Sequence, residues 1–441
     1  MRITRLVGTA LGATLLLAAA VPTASADAGT ALPTASAATA PPTAESLDRA
    51  ALRTTLDAAH EAGMYGLYSS VRDGAERWTG ASGVADVDTR RPVRPGMRHR
   101  VGSISKTFTS VAVLQQVERG RIRLDAPVGD YLPDLVKGER GRDVTVRMVL
   151  NHTSGIGDYI LGAFPSLAAN STASLDEERF RSIRPEELVR LGLEAPATGR
   201  PGEQPGSYSN TNYVIAGLIL EKVTGQDAGT YITRNVIHRA GLRATSYART
   251  PYIKGPHSRM YESFYGLIDP PRDYSVYNMS WASTAGSIIS TTDDLNRFYR
   301  ALLTGKLIGP AALDEMLSTV TVNAGGARIN YGLGIYALDL PGCGRFWGHD
   351  GAVFGAGTIA LSSPDGKRQL AMGWNLMKYQ RLTADGTAFE PSPIDDAINE
   401  HIVRALCPTP QSPGLTGATP RLPSEGLPGT DLSPGQWVSR R

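Results

Sequence analysis

Two short apolar-rich runs near the N-terminus, "MYGLYSSV" from Met64 and "RWTGASGVADV" from Arg77, flank Asp73-Gly74. Asp-Gly supplies the positive φ angles of a tight hairpin turn, so the pattern predicts two antiparallel strands. The same signature recurs near the C-terminus, where "AGTIALSS" from Ala356 and "RQLAMGWN" from Arg368 flank Asp365-Gly366. Between these ends the period changes. "TFTSVAVLQQVERG" from Thr107, "RPEELVRLGLE" from Arg184, "NYVIAGLILEKVTG" from Asn212 and "DDLNRFYRALLTG" from Asp293 are helix-like, and most end at glycine, as does no strand pattern here. "IDDAINEHIVRAL" from Ile394 adds a C-terminal helix. The predicted layout is an α/β unit made from both ends of the chain, with a mainly helical region inserted in the middle.

The flanks differ from this body. Arg2 and Arg5, an apolar run over Leu6–Val21 and the small residues Ala24-Ser25-Ala26 read as a secretory signal peptide over residues 1–26. The Ala/Thr/Pro-rich stretch 27–45 is expected to be a disordered leader, and the Pro/Gly-rich stretch 408–441 a tail. The folded domain is expected over 46–407, with 46–102 and about 276–407 forming the α/β part and about 103–275 the helical part. A secreted chain with no retained anchor follows. Its two cysteines, Cys343 and Cys407, can then pair in an oxidising compartment, closing a loop worth about 4 kcal/mol, or remain as buried free thiols.

Composition removes several functions. With 41% hydrophobic residues the 441-residue chain can bury a large core, and a net charge of +3 supplies no field for nucleic acid or an anionic membrane. There is no zinc spacing, no phosphate-cradling glycine loop and no repeat, so no cofactor or metal is expected.

The candidate chemistry begins at "VGSISKTFTS". On a helix Ser103 and Lys106 share one face, and the residues that follow are apolar nearly all round, which sends that helix to the interior. An amine kept from water can act as a neutral base on a hydroxyl. Alone, Ser-x-x-Lys reads equally well as a helix cap beside a solvated lysine. Two further motifs follow in order: Tyr208-Ser209-Asn210 in "GSYSNTNYV", and His349-Asp350-Gly351 in "WGHDGAVFG".

Together with "VRMVLNHTSGIGDY" from Val146 and "MSWASTAGSIISTTDDL" from Met279, these motifs resemble the serine penicillin-recognising hydrolases, in particular the secreted D-alanyl-D-alanine carboxypeptidase and class C β-lactamase group. The resemblance covers most of 46–407 and includes a cysteine pair at corresponding places. It implies an α/β, class C β-lactamase-like fold: an antiparallel sheet flanked by helices, with an inserted all-helical subdomain. It also implies that Ser103 is the nucleophile, that Lys106 and Tyr208 share the base function, that Asn210 fixes the lysine and the substrate amide, and that the backbone N–H groups of Ser103 and Ala352 form the oxyanion hole. His349, in place of the lysine of many relatives, would keep the site electropositive or steer a proton to Tyr208; alternatively it only packs beside Trp347. Phe164 and Trp281 would line the cleft, and Asn151-His152 would turn the chain before Gly155.

The departures concern the leaving group. Tyr336 stands where such carboxypeptidases carry a carboxylate-binding arginine, while Asp350 and Ala352, flanking Gly351, replace threonines. A carboxylate on Asp350 about 5 Å from a substrate carboxylate costs roughly 3 kcal/mol at an effective dielectric near 20, unless it turns away or pairs with Arg328. The expected function is therefore a secreted, monomeric, penicillin-reactive D-peptidase of the D-alanyl-D-alanine carboxypeptidase type, acting on small peptides, peptidoglycan stems or β-lactams. A D-aminopeptidase, an esterase or a β-lactamase is the alternative on the same fold. A penicillin-binding sensor with little turnover is the alternative of another class.

Overall fold

Helix α1 (Arg49–Glu61) starts where Asp48 accepts the Ala51 amide, and it lays Leu52, Leu56 and Ala59 on the sheet. The hairpin β1 (Gly66–Asp73) and β2 (Glu76–Asp86) turns at Asp73-Gly74, with Gly74 at φ +56°. The chain then leaves the sheet through one 3-10 turn, Gly102–Ile104, into α2 (Ser105–Glu118). From Ser105 to Gln116 every residue of α2 is buried, polar and apolar alike. The structure is a computed structural model that describes residues 47–407 apart from 326 and 385–388. The expected signal peptide, leader and tail lie outside the described residues.

Helix α3 (Asn210–Thr224) ends at Gly225 in the left-handed conformation, and the short α4 (Ser283–Gly286) precedes α5 (Thr292–Leu303), which Thr291 caps. The chain then completes the sheet with β3 (Val320–Ala324), β4 (Ala327–Tyr331), β5 (Tyr336–Leu340), β6 (Gly344–Val353), β7 (Ala356–Ser362) and β8 (Arg368–Trp374). Helix α6 (Pro393–Leu406) follows, capped by Ser392 with proline at its first position.

The main sheet runs 91–92, β2, β1, β8, β7, β6, β5, β4, β3, 206–207. Its pairs are antiparallel, except that 206–207 lies parallel to β3. N- and C-terminal parts of the chain thus meet at β1 and β8, as the two hairpin signals imply. On one face α1 and α6 pack over Leu67, Leu370 and Met372; on the other lie α5, α2 and α3, with Phe108 stacked on Phe298 at 3.7 Å. The disulfide Cys343–Cys407, with Cα atoms 5.2 Å apart, ties the β5–β6 turn to the end of α6.

The inserted region is less helical than expected near its end. Residues 246–273 carry short strands, Ser246–Tyr247, Tyr261–Glu262 and Arg272–Asp273, and a single 3-10 turn, Phe264–Gly266. Pro251, Pro256, Pro270 and Pro271 remove the amide donors that a helix there would need. Two small sheets result, one of which brings Leu376–Met377 alongside Tyr261–Glu262.

Candidate active site

The site forms where the start of α2 meets the open edge of β6. Pairing of β5 with β6 stops at Tyr336 and Gly348, so beyond Gly348 only β7 holds β6. The turn before α2 fills the vacated edge. Gly102, at φ +50°, comes so close that a β-carbon on it would stand 2.7 Å from the Ala352 nitrogen. Reciprocally, a β-carbon on Gly351 would stand 2.7 Å from the Ser103 nitrogen and 2.1 Å from the Val101 oxygen. Only glycine permits this backbone contact. It joins the two segments whose amides, on Ser103 and Ala352, are the expected oxyanion donors.

Lys106 is fully buried, and its partners include three oxygens: Ser103 Oγ at 2.9 Å, Asn210 Oδ1 at 2.7 Å and the Ala285 carbonyl at 3.1 Å. Its Nζ also lies 4.8 Å from the centre of the Tyr208 ring. Two of its three oxygens, the amide and the carbonyl, have no hydrogen to give. A neutral amine therefore donates to both and turns its lone pair to the Ser103 hydroxyl; as an ammonium it donates to all three. Such an arrangement can accept and return the serine proton without moving.

Asn210 is set by Asp158, which sequence reasoning missed. The Asp158 Oδ2 accepts from the Asn210 amide at 2.6 Å and from its side-chain nitrogen at 3.0 Å, which turns the Asn210 oxygen toward Lys106. Desolvation raises the Asp158 pKa, against the opposing pull of those donors and of the Lys106 charge. Its signal was its place in "SGIGDY", within a motif already singled out.

Tyr208 is held by its neighbours. Its backbone amide donates to Asn323 on β3, and its ring lies 4.2 Å from His152 and 6.0 Å from Tyr331. His152 does turn the chain, at φ +62°, and its Nδ1 accepts from the Ser209 amide and from the Asn212 side chain, both at 3.2 Å. Burial holds its pKa well below the ordinary value, so the ring is neutral.

His349 corrects one expectation. It is buried, and desolvation, followed by the Lys106 charge, lowers its pKa to about 3. A neutral ring cannot make the site electropositive. Its Nδ1–H donates to the Asp350 carbonyl at 2.5 Å, and Tyr331 donates its hydroxyl to Nε2 at 2.8 Å, which fixes the tautomer. The imidazole packs against Tyr331 and Tyr336, each 5.5 Å away, with Tyr208 at 6.2 Å.

Tyr336 and Asp350 are as deeply set as the nucleophile, at 3%, 2% and 3% exposure for Tyr336, Asp350 and Ser103. The Asp350 carboxylate lies 3.7 Å from His349 Nδ1, and its charge adds to desolvation in raising the Tyr336 pKa. Arg328 is exposed on β4. The carboxylate is thus turned into the sheet's aromatic cluster.

Beyond Ala352 the cleft is lined by Ile160, Leu167, Phe264, Trp281, Phe354 and Lys378. Trp281 is 4.9 Å from Phe354, while Phe164 stands edge-on to both, at 5.6 and 5.5 Å, and is 1% exposed. Phe164 thus backs the wall that Trp281 and Phe354 present. Among the described residues no group of three or more His, Cys, Asp or Glu side chains is placed to hold a metal, and no helix is long and apolar enough to cross a membrane.

A serine in the turn before a buried helix, a lysine on that helix, a tyrosine and asparagine at a second helix start and a glycine-bearing strand facing the serine define a serine penicillin-recognising hydrolase. The beta-lactamase family model matches residues 49–388, and the chain belongs to that family. It is similar to D-stereospecific amidohydrolase from Streptomyces sp., with 38% identity and a TM-score of 0.68 over 75% of this chain and 95% of that one. D-amino acid amidase from Ochrobactrum anthropi shares the fold, at 22% identity and a TM-score of 0.67 over 81% and 97% of the two chains. Penicillin-binding protein 4* of Bacillus subtilis is 29% identical over 65% of this chain, a stretch that spans 63% of that protein's length.

Proposed function

We propose that the protein is a D-stereospecific serine hydrolase that cleaves amides and peptides through an acyl-enzyme on Ser103, with a leaving group that need not carry a free carboxylate. The observation that carries this reading is the coordination of Lys106, whose two hydrogen-free acceptors aim its lone pair at the Ser103 hydroxyl. Ser103 Oγ bonds to the substrate carbonyl carbon as its proton passes to the Lys106–Tyr208 pair, which titrates as a unit. The amides of Ser103 and Ala352 stabilise the oxyanion, a feature worth about 3 kcal/mol per donor in other hydrolases. The carbon–nitrogen bond then breaks, and the leaving amine takes up the proton. Water repeats the sequence on the ester and frees Ser103. Neutral His349, held by Tyr331 and the Asp350 carbonyl, packs beside Tyr208 without adding a second cation to the site.

D-specificity rests on the likeness to the Streptomyces amidohydrolase. The leaving-group preference rests on Tyr336, which offers no positive charge where a carboxylate would need one. Similarity to penicillin-binding protein 4* favours a second reading, a penicillin-reactive D-alanyl-D-alanine carboxypeptidase. The Cys343–Cys407 bond supports an oxidising, extracytoplasmic location for either.

Turnover of D-phenylalanine amide, L-phenylalanine amide, D-phenylalanine methyl ester and a D-Ala-D-Ala peptide separates these readings. The D-amide is expected to exceed both the L-amide and the peptide at least a hundredfold in kcat/KM. Preference for the peptide moves the assignment to the carboxypeptidase, and cleavage of the L-amide at an equal rate removes the D-specific reading.

A further inference from the structure

The end of β6 that carries Ala352 is held by β7 on one side and by the turn before α2 on the other. Beyond Gly348 it lacks β5, and two residues after the strand ends at Val353 the chain reverses at Gly355, φ +74°. The far side of this reversal is braced by the strand Tyr261–Glu262, which approaches so closely that a β-carbon on Gly355 would stand 2.3 Å from the Met260 carbonyl.

Glu262 sits at the centre of the brace and is fully buried. One carboxylate oxygen accepts the Phe264 amide at 3.1 Å. The other accepts the Gly355 amide at 3.0 Å and the Lys378 ammonium at 3.0 Å. Lys378 is itself 6% exposed, follows the strand Leu376–Met377 that pairs with Tyr261–Glu262, and lies 4.9 Å from the Phe264 ring centre and 5.7 Å from that of Phe354. One buried ion pair thus gathers the reversal at Gly355, the cleft wall at Phe354 and a separate sheet, three residues from Ala352. The acyl-transfer step uses neither charge.

We infer that Glu262 and Lys378 are positioning residues: their ion pair holds the β6 end so that the Ala352 amide stays on the oxyanion position. The inference rests on the role given above to Ala352. A buried pair of charges contributes little net stability over apolar packing but fixes geometry, because breaking it leaves an uncompensated ion. A donor displaced by about 1 Å forfeits on the order of a hundredfold in rate.

The test compares wild type, Glu262→Gln and Lys378→Met by kcat and KM for D-phenylalanine amide and for the small ester p-nitrophenyl acetate, each normalised to active sites titrated by the ester burst. Positioning predicts a 10- to 100-fold fall in kcat per titrated site for both substrates, with KM within threefold. A fall confined to the bulky amide would make the pair part of the pocket wall alone. Wild-type kcat per titrated site, with only fewer sites, would make it merely structural; either result overturns the inference. The double variant Glu262→Gln/Lys378→Met leaves no unpaired buried charge and covers the case in which a single variant does not fold. It is expected to lose rate in the same direction, since a glutamine has one acceptor oxygen for two backbone amides. Ser103→Ala run alongside keeps the two readings apart: its retained turnover removes the acyl-enzyme, whereas wild-type rates in the pair variants remove only the brace.

Discussion

Gly102 and Ala352 touch through their backbones: a β-carbon on Gly102 would lie 2.7 Å from the Ala352 nitrogen and equally close to its oxygen. The contact unites the nucleophile's turn with the strand that faces it. Gly102→Ala adds that carbon at a φ of +50°, where L-residues are strained, and forces the segments apart. We expect kcat/KM to fall at least a hundredfold and stability by about 2 kcal/mol. Steady-state kinetics and urea unfolding measure both, and an active Gly102→Ala would contradict the oxyanion assignment.

Asp158 reaches the lysine in two ways, by orienting Asn210 and by the attraction between the two charges. Asp158→Asn keeps the shape but sets an amide NH2 either against the two Asn210 donors or against the Ile160 amide that the other oxygen accepts. The expected result is a tenfold or greater fall in kcat with a loss of about 1 to 3 kcal/mol in stability. An unchanged kcat would mean that Lys106 needs no orientation from Asn210.

Four buried histidines set the acid limit of the fold. Burial lowers His99 to about 4 and His349 and His401 to about 3, and puts His152 well below its ordinary value. Unfolded histidine titrates near 6.5, so below that pH the unfolded chain binds protons that the folded chain refuses. Stability is therefore full above about pH 6.5 and declines as pH falls toward 4, by up to about 1.4 kcal/mol per pH unit for each ring. Asp158 and Asp395, raised by desolvation, oppose the trend only nearer the carboxyl range. Urea midpoints from pH 7 to 4.5 report the slope, and a flat profile would mean that these rings are solvated.

Cys343 and Cys407 are 64 residues apart, and Cys343 stands about 30 Å from Ala352 at a strand's rise per residue. Replacing both with serine should lower stability by about 4 kcal/mol. With the site that far away, kcat at 25 °C should change less than twofold. A large loss of kcat with an unchanged melting temperature would reverse both statements.

How much was legible depended on distance along the chain. Asp73-Gly74 and Asp365-Gly366 marked their hairpins because a turn is written in adjacent residues, and the buried course of α2 was written in its apolar residues. Ser103 and Lys106 were visible as a pair three apart, and Tyr208, Asn210 and His349 through their motifs. What pairing across the fold decides was not visible: the order of strands, the grip of Asp158 on Asn210, the tautomer that Tyr331 imposes on His349, and the bond between Glu262 and Lys378. The choice among the alternatives for His349 was hidden for the same reason, since its environment is assembled from β4, β5 and α2. Residues 246–273 looked like part of a helical insert because their neighbours were, although their prolines argued otherwise.

The most direct test of the mechanism is intact-mass spectrometry of acid-quenched mixtures of the protein with D-phenylalanine methyl ester, wild type beside Ser103→Ala. The account predicts a phenylalanyl adduct on wild type that maps to the peptide containing Ser103, decays on the timescale of turnover, and is absent from the variant. An adduct or continued hydrolysis in Ser103→Ala would contradict it.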